Sequence, residues 1–271
     1  MRRRTRRYRG AYPIQTVILV AAILLLIASA GGATGIVFYR AYEKKETRKQ
    51  ALVSFQAGQY ETAIPLLESA ITRKGYFMEE FDTSTKELLA DAYMQAGRYE
   101  AAETSYEELV QAIEDETKKN ALEYRRQLAK ALKLYEQEQY QEAVVIWKEL
   151  VAEDAKCNLY LGNCYAALNQ PKEMKSAYEA YLQVDTDNSF VYAQLANMYL
   201  EQEDYDQAKK MITEGLAKED TSGRQQLLFA QIVYQERQLA FEEAYKLAKT
   251  YVEQYPDDEA GKKEYEFLET R

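Results

Sequence analysis

Cys157 and Cys164 are the only two thiols in the chain, and they stand seven residues apart in a sequence without histidine. Thiols can hold a metal or close a disulfide. A zinc site needs three or four protein ligands, and no histidine or further cysteine completes one here. On a shared helix their Cα atoms would be about 10.5 Å apart, beyond disulfide reach. Both are expected to remain thiols in the core, with no metal. The lack of histidine also removes the commonest acid–base group. Carboxylates are plentiful, with 44 Asp and Glu, but on helices such runs are usually solvated faces. No phosphate-cradling glycine loop, dinucleotide turn or nucleophile–base arrangement occurs. These residues predict a protein that binds rather than catalyses, and that uses no cofactor.

Charge is unevenly spread along the chain. Six arginines, Arg2, Arg3, Arg4, Arg6, Arg7 and Arg9, crowd the N-terminus. Residues 1–49 hold 11 of the 35 basic and 2 of the 44 acidic side chains, leaving 24 against 42 for the rest, a net −18. Such a body repels nucleic acid and suits neutral or basic partners. Behind the arginines, Val17 to Tyr39 is a run of 23 residues without a charge. As a helix it would extend roughly 34 Å, enough to cross a hydrocarbon core of about 30 Å. Tyr12 precedes the run, and Phe38, Tyr39 and Tyr42 close it, as aromatics do at membrane rims. The expectation is an arginine-rich head over 1–13, a transmembrane helix over 14–39, and a juxtamembrane stalk over 40–50 running into the body.

Ala28-Ser29-Ala30 also has the small-x-small form of a signal-peptide cleavage site, which would release a secreted protein. The apolar run continues nine residues past Ala30, and this favours an uncleaved anchor. Five basic residues, Arg40, Lys44, Lys45, Arg48 and Lys49, follow the span, so the count bias is thin. The acid-free head would be costly to move outward against the membrane potential. This favours a cytoplasmic head, resting on anionic lipid near Arg2–Arg9, with the body outside the cytoplasmic membrane of a bacterium. The inverted, cytosol-facing orientation is the alternative. Ala28, Gly31, Gly32 and Gly35 lie four apart in pairs on neighbouring ridges of the span. There a second helix could approach closely and make a homo-oligomer; ordinary glycine usage in membrane spans is the competing explanation.

The body repeats itself. Gly58-Gln59-Tyr60-Glu61-Thr62-Ala63 returns as Gly97 to Ala102, Glu138 to Ala143, Glu203 to Ala208 and, degenerately, Leu239 to Ala244. Asn169 to Met174 fills the remaining place, with Pro171 where the aromatic should be. Twelve residues before each closing Ala or Met stands Ala51, Ala90, Ala131, Gly162, Ala196 or Ile232. Small residues are needed where two helices cross closely, so this column marks a hairpin contact. Apolar residues recur at helical spacing throughout, with no sustained alternation.

In these motifs the chain resembles the tetratricopeptide repeat family, whose helix-turn-helix unit repeats every 34 residues or so. The best copies are Leu161-Gly162-x-x-Tyr165 with Tyr178, and Leu195-Ala196-x-x-Tyr199 with Ala208. The turn residues are spaced 39, 41, 31, 34 and 36 apart, which predicts longer connectors near 73–85 and 115–122. The resemblance implies an all-α solenoid of five or six hairpins over 44–256, with residues 257–271 as a capping helix. It also implies a binding scaffold for a protein or peptide partner. The first helix of each hairpin lines the inner surface in this family. The matching columns are Leu128, Leu132 and Tyr135, then Leu159 and Asn163, Phe190 and Asn197, and Phe229 and Val233. Apolar surface with a few amides would suit a peptide; packing between neighbouring hairpins would use the same residues. Leu159 and Ala193 replace the basic residues with which some relatives clamp a C-terminal carboxylate, so that activity is not implied.

Overall fold

The computed structural model describes residues 14–271 except 74, 76 and 77, with side chains from residue 34 onward. The described residues form thirteen α-helices and no strand. These are α1 (Ile14–Gln56), α2 (Tyr60–Thr72), α3 (Glu79–Gln95), α4 (Tyr99–Ala112) and α5 (Glu116–Glu136). Then come α6 (Tyr140–Leu150), α7 (Asn158–Ala167), α8 (Pro171–Tyr181), α9 (Ser189–Glu201) and α10 (Tyr205–Leu216). The last three are α11 (Arg224–Arg237), α12 (Phe241–Gln254) and α13 (Glu259–Glu269). The arginine head lies outside the described residues, as do the side chains of Ala28, Gly31 and Gly32. Among the described residues no helix is long and apolar enough to cross a membrane. Most of the uncharged run Val17 to Tyr39 belongs to the part whose side chains are not described. The α1 backbone continues through that run without a break to Gln56.

Each of the six sequence repeats is a hairpin closed by the same turn. The residue two before the turn aromatic is left-handed: Gly58 and Gly97 at φ 72°, Glu138 and Glu203 at 58°, Asn169 at 53° and Leu239 at 59°. The following N–H bonds back five residues, as Gln59 does to Ser54 at 2.9 Å and Ala240 to Gln235 at 2.9 Å. This is the Schellman closure, which satisfies the last carbonyls of the first helix. The turn aromatic then packs across the end of the hairpin, edge-on in Phe55–Tyr60 at 5.3 Å and Tyr135–Tyr140 at 5.6 Å. Pro171 serves instead as the first residue of α8, where its missing N–H costs nothing. Four of the six left-handed positions are not glycine, and L side chains are strained there. Leu239→Gly and Glu138→Gly should each stabilise the protein by about 0.5–1 kcal/mol, read as a higher denaturant midpoint at unchanged slope.

The small column is buried throughout. Ala51, Ala90, Ala131 and Ala196 have no exposed surface, Gly162 is buried, and Ile232 is 1% exposed. The closing residues Ala63, Ala102, Ala143, Ala208 and Ala244 are likewise sealed. The long intervals do not make long connectors. They lengthen the first helices, with α3 reaching 17 residues and α5 21. Three acids in the first turn of α3 favour an early start, and Asp115 begins α5 by accepting from the Lys118 N–H at 2.8 Å.

The chain divides into two compact units, Met1–Arg126 and Gln127–Arg271. In the first, α1 packs on α2, α2 on α3 and α3 on α4, around Ala51, Ala63, Ile64, Leu67 and Ala92. Lys44, one of the basic residues after the uncharged run, is 1% exposed. Its Nζ lies 2.5 Å from Asp82 and donates to the Arg73 carbonyl at 2.9 Å, tying α1 to α3 and to the end of α2. In the second unit α6 packs on α7, α7 on α8, α9 on α10, α10 on α11, α11 on α12 and α12 on α13, while α9 also packs on α11. Cys157 and Cys164 are both buried. Cys157 ends the 3-10 turn Ala155–Cys157 that leads into α7, and burial pushes the Cys164 thiol up to about 12.

Candidate peptide-binding cleft

In the second unit the starts of α9 and α11 are locked together. Ser189, fully buried at the head of α9, donates its N–H and hydroxyl to Asp220 at 2.8 and 2.9 Å. Its hydroxyl also accepts from the Gly223 N–H at 2.8 Å. A Cβ at Gly223 would stand 2.4 Å from the Ser189 carbonyl oxygen, so only glycine allows this approach. Asp187 in turn accepts from the Glu219 and Asp220 N–H groups at 3.1 and 3.2 Å. The Ser222 hydroxyl, first among several donors, holds the Asp220 carboxyl down to about 2. The network fixes the two first helices side by side, each presenting one face.

Between them lies a cleft of about 330 Å³, lined by Asn197 of α9, Ser222, and Gln225, Gln226 and Phe229 of α11. Tyr251 of α12 and the start of α13, Asp258 and Ala260, complete it. Asp258 caps α13 by accepting from the Ala260 N–H at 3.0 Å. It also accepts from the Tyr251 hydroxyl and, at 3.4 Å, from the Gln225 amide. The Tyr251 bond holds the Asp258 carboxyl below the usual carboxylate range. Burial, and then Asp258, push the Tyr251 hydroxyl up to about 12. The Phe229 and Tyr251 rings are tilted together at 5.7 Å. Gly261 is obligatory beneath, since a Cβ would sit 2.4 Å from the Tyr251 ring. Primary amides at the rim can pair with an extended main chain, the rings offer apolar surface, and the ionised Asp258 adds negative charge.

Of the residues expected to line an inner groove, the structure brings Asn197 and Phe229 together in this cleft. The others are spread elsewhere in the unit. Leu132 is buried at 9% exposure, and Leu128, Leu159, Phe190 and Val233 are half-buried outside the cleft. Tyr135 packs edge-on against Tyr140 at 5.6 Å and Tyr160 at 6.1 Å. Asn163 accepts from the Tyr178 hydroxyl at 2.7 Å, so its oxygen already serves the hairpin. Sequence reasoning missed Gln225, Gln226, Tyr251 and Asp258. Gln225 and Gln226 stand four and three residues before Phe229, on the same helical face, and that spacing was the available signal. Other hollows exist, such as one of about 400 Å³ lined by Asn158, Leu161, Tyr165, Lys172, Glu173, Ser176 and Ala177 between α7 and α8; it lies within a single hairpin. Among the described residues no group of three or more Cys, Asp or Glu could hold a metal.

No curated protein matches the chain. Solved structures do. That of pilF from Pseudomonas aeruginosa is 17% identical, with a TM-score of 0.60 over 85% of this chain and 98% of its own. PilW, described as a widely conserved type IV pilus biogenesis factor, is 13% identical, with a TM-score of 0.56 over 83% and 97%. The C-terminal part of a TPR repeat-containing protein from Cytophaga hutchinsonii is 14% identical, with a TM-score of 0.57 over 90% and 98%. At such identities the likeness concerns the fold. Two family models, each described as tetratricopeptide repeat, match residues 54–122 and 194–259. Those two segments carry tetratricopeptide repeats, and with the six identically closed hairpins the described residues form an all-α, tetratricopeptide-like array.

Proposed function

We propose that the chain is a single-pass, membrane-anchored tetratricopeptide scaffold that holds a protein partner outside the cytoplasmic membrane. The observation that carries the binding role is the cleft of Asn197, Gln225, Gln226 and Phe229, closed by Tyr251 and Asp258. Its amides, rings and fixed negative charge suit an extended, basic segment of a partner. The anchor rests on the uncharged run Val17 to Tyr39 behind six arginines. The fold shared with a type IV pilus biogenesis factor supports a role in assembling an envelope structure.

Asn197 is exposed, so Asn197→Arg should leave the melt unchanged. It should weaken partner binding at least about tenfold by adding like charge for a basic segment. A photo-crosslinking residue at Gln226 should capture a discrete protein in cells, and that capture should vanish with Asn197→Arg. Capture that is indifferent to Asn197→Arg would sink the cleft. The anchor is tested separately. On intact cells an impermeant thiol reagent should label a cysteine placed at exposed Thr270 and spare one added at the N-terminus. The opposite pattern would reverse the orientation, and a mature N-terminus at Gly31 would remove the anchor.

A further inference from the structure

The capping helix α13 is held by a small set of contacts. Leu268 enters the cluster of Ile232, Ala244, Ala248 and Tyr251. Tyr265 stacks on Tyr245 with ring centroids 5.3 Å apart, their hydroxyls at 3.3 Å. The Arg271 guanidinium lies 5.8 Å from the centre of the Phe241 ring. Glu264 lies on α13 just before Tyr265, and the Glu236 carboxylate of α11 acts on it. One Glu264 oxygen, Oε1, is buried and meets no donor. Two ionised carboxylates in this position would repel across a partly dry interface. One proton turns either into a donor and the pair into a bond.

We propose that Glu236 and Glu264 form a proton-operated latch that seats α13 at mildly acidic pH and releases it as pH rises, opening one wall of the cleft. Release would matter for binding because Asp258 and Ala260, at the start of α13, line that cleft; this consequence rests on the cleft being the binding site. Burial, then the Glu236 carboxylate, push the Glu264 carboxyl up to about 7. The contribution is therefore present in full below the ordinary glutamate range and is lost as pH climbs through about 7. The Tyr265 hydroxyl beside it, raised to about 12 by the Tyr245 hydroxyl, stays neutral across this window. From α12 the Tyr245 hydroxyl meets it at 3.3 Å.

The test is amide hydrogen exchange on the full chain in detergent micelles at pH 5.5 and 8.5, corrected for intrinsic rates, with α10 as internal reference. The α13 amides should lose at least about tenfold of their protection at the higher pH, one unit's worth of linkage after allowing for partial exposure. The α10 amides should not change. Glu264→Gln, which keeps the shape and the donor of the protonated acid, should hold α13 at its low-pH protection in both buffers. Equal α13 protection of the unaltered chain at both pH values overturns the latch, as does a Glu264→Gln variant that loosens just as steeply. The exchange measurement needs no partner, so a failed capture at Gln226 would count against the cleft and leave the latch standing.

Discussion

Gly162→Ala should destabilise the second unit by about 3 kcal/mol, at the upper end of what overpacking usually costs. A Cβ at Gly162 would lie 2.4 Å from Cε1 and 2.5 Å from Cδ1 of Tyr178. That ring has nowhere to retreat. Tyr178 is fully buried, and its hydroxyl is tied to Asn163 at 2.7 Å. Chemical denaturation should show a lower midpoint for Gly162→Ala, while Gly35→Ala, where a Cβ meets nothing within 4 Å, should not shift it downward. Combining Gly162→Ala with Tyr178→Leu should recover part of the loss, because the two positions share one contact. A Gly162→Ala protein that melts like the unaltered chain would mean that α7 and α8 do not cross as closely as described.

Trp147→Ala is the second large effect, about 3–5 kcal/mol for removing a core tryptophan. Trp147 has no exposed surface and stacks on Tyr160 at 4.8 Å with planes 8° apart. Trp147→Phe should cost far less. It keeps an aromatic against Tyr160 and removes an indole N–H that is buried without an acceptor. Phe190, only half-buried, provides the comparison. Phe190→Ala should lower the melting temperature less than Trp147→Ala; an equally early melt would place Phe190 in the core.

The hairpins were legible because their signal is repeated. A turn aromatic and a small residue at fixed offsets from it recur where two helices must cross and close. Interval length was less informative, since extra residues extend a helix or a loop alike. Here Asp115 and the acids at the start of α3 decided for helix. The inner columns show why a site is harder to read than a fold. Asn163 and Asn197 occupy the same column, yet one is engaged and the other exposed. The difference lies fifteen residues on. Tyr178 reaches back to Asn163 just as Tyr106 reaches back to Asp91 at 2.6 Å, whereas Ile212 offers Asn197 no hydroxyl. Asp258 could not be placed from sequence at all, because its role depends on where α13 comes to rest against α11 and α12.

The unbroken course of α1 has a mechanical consequence. A helix of 43 residues spans about 64 Å, and its last turns form half of the first hairpin, pinned through Lys44 and Ala51. With no glycine-rich or proline-rich joint between Tyr39 and Gln56, nothing acts as a swivel. A twist or tilt applied at Tyr39 arrives at the first repeat as torque rather than being dissipated in a tether. The repeats nearest α1 therefore follow that point as a rigid lever, and their heading is dictated by whatever grips it.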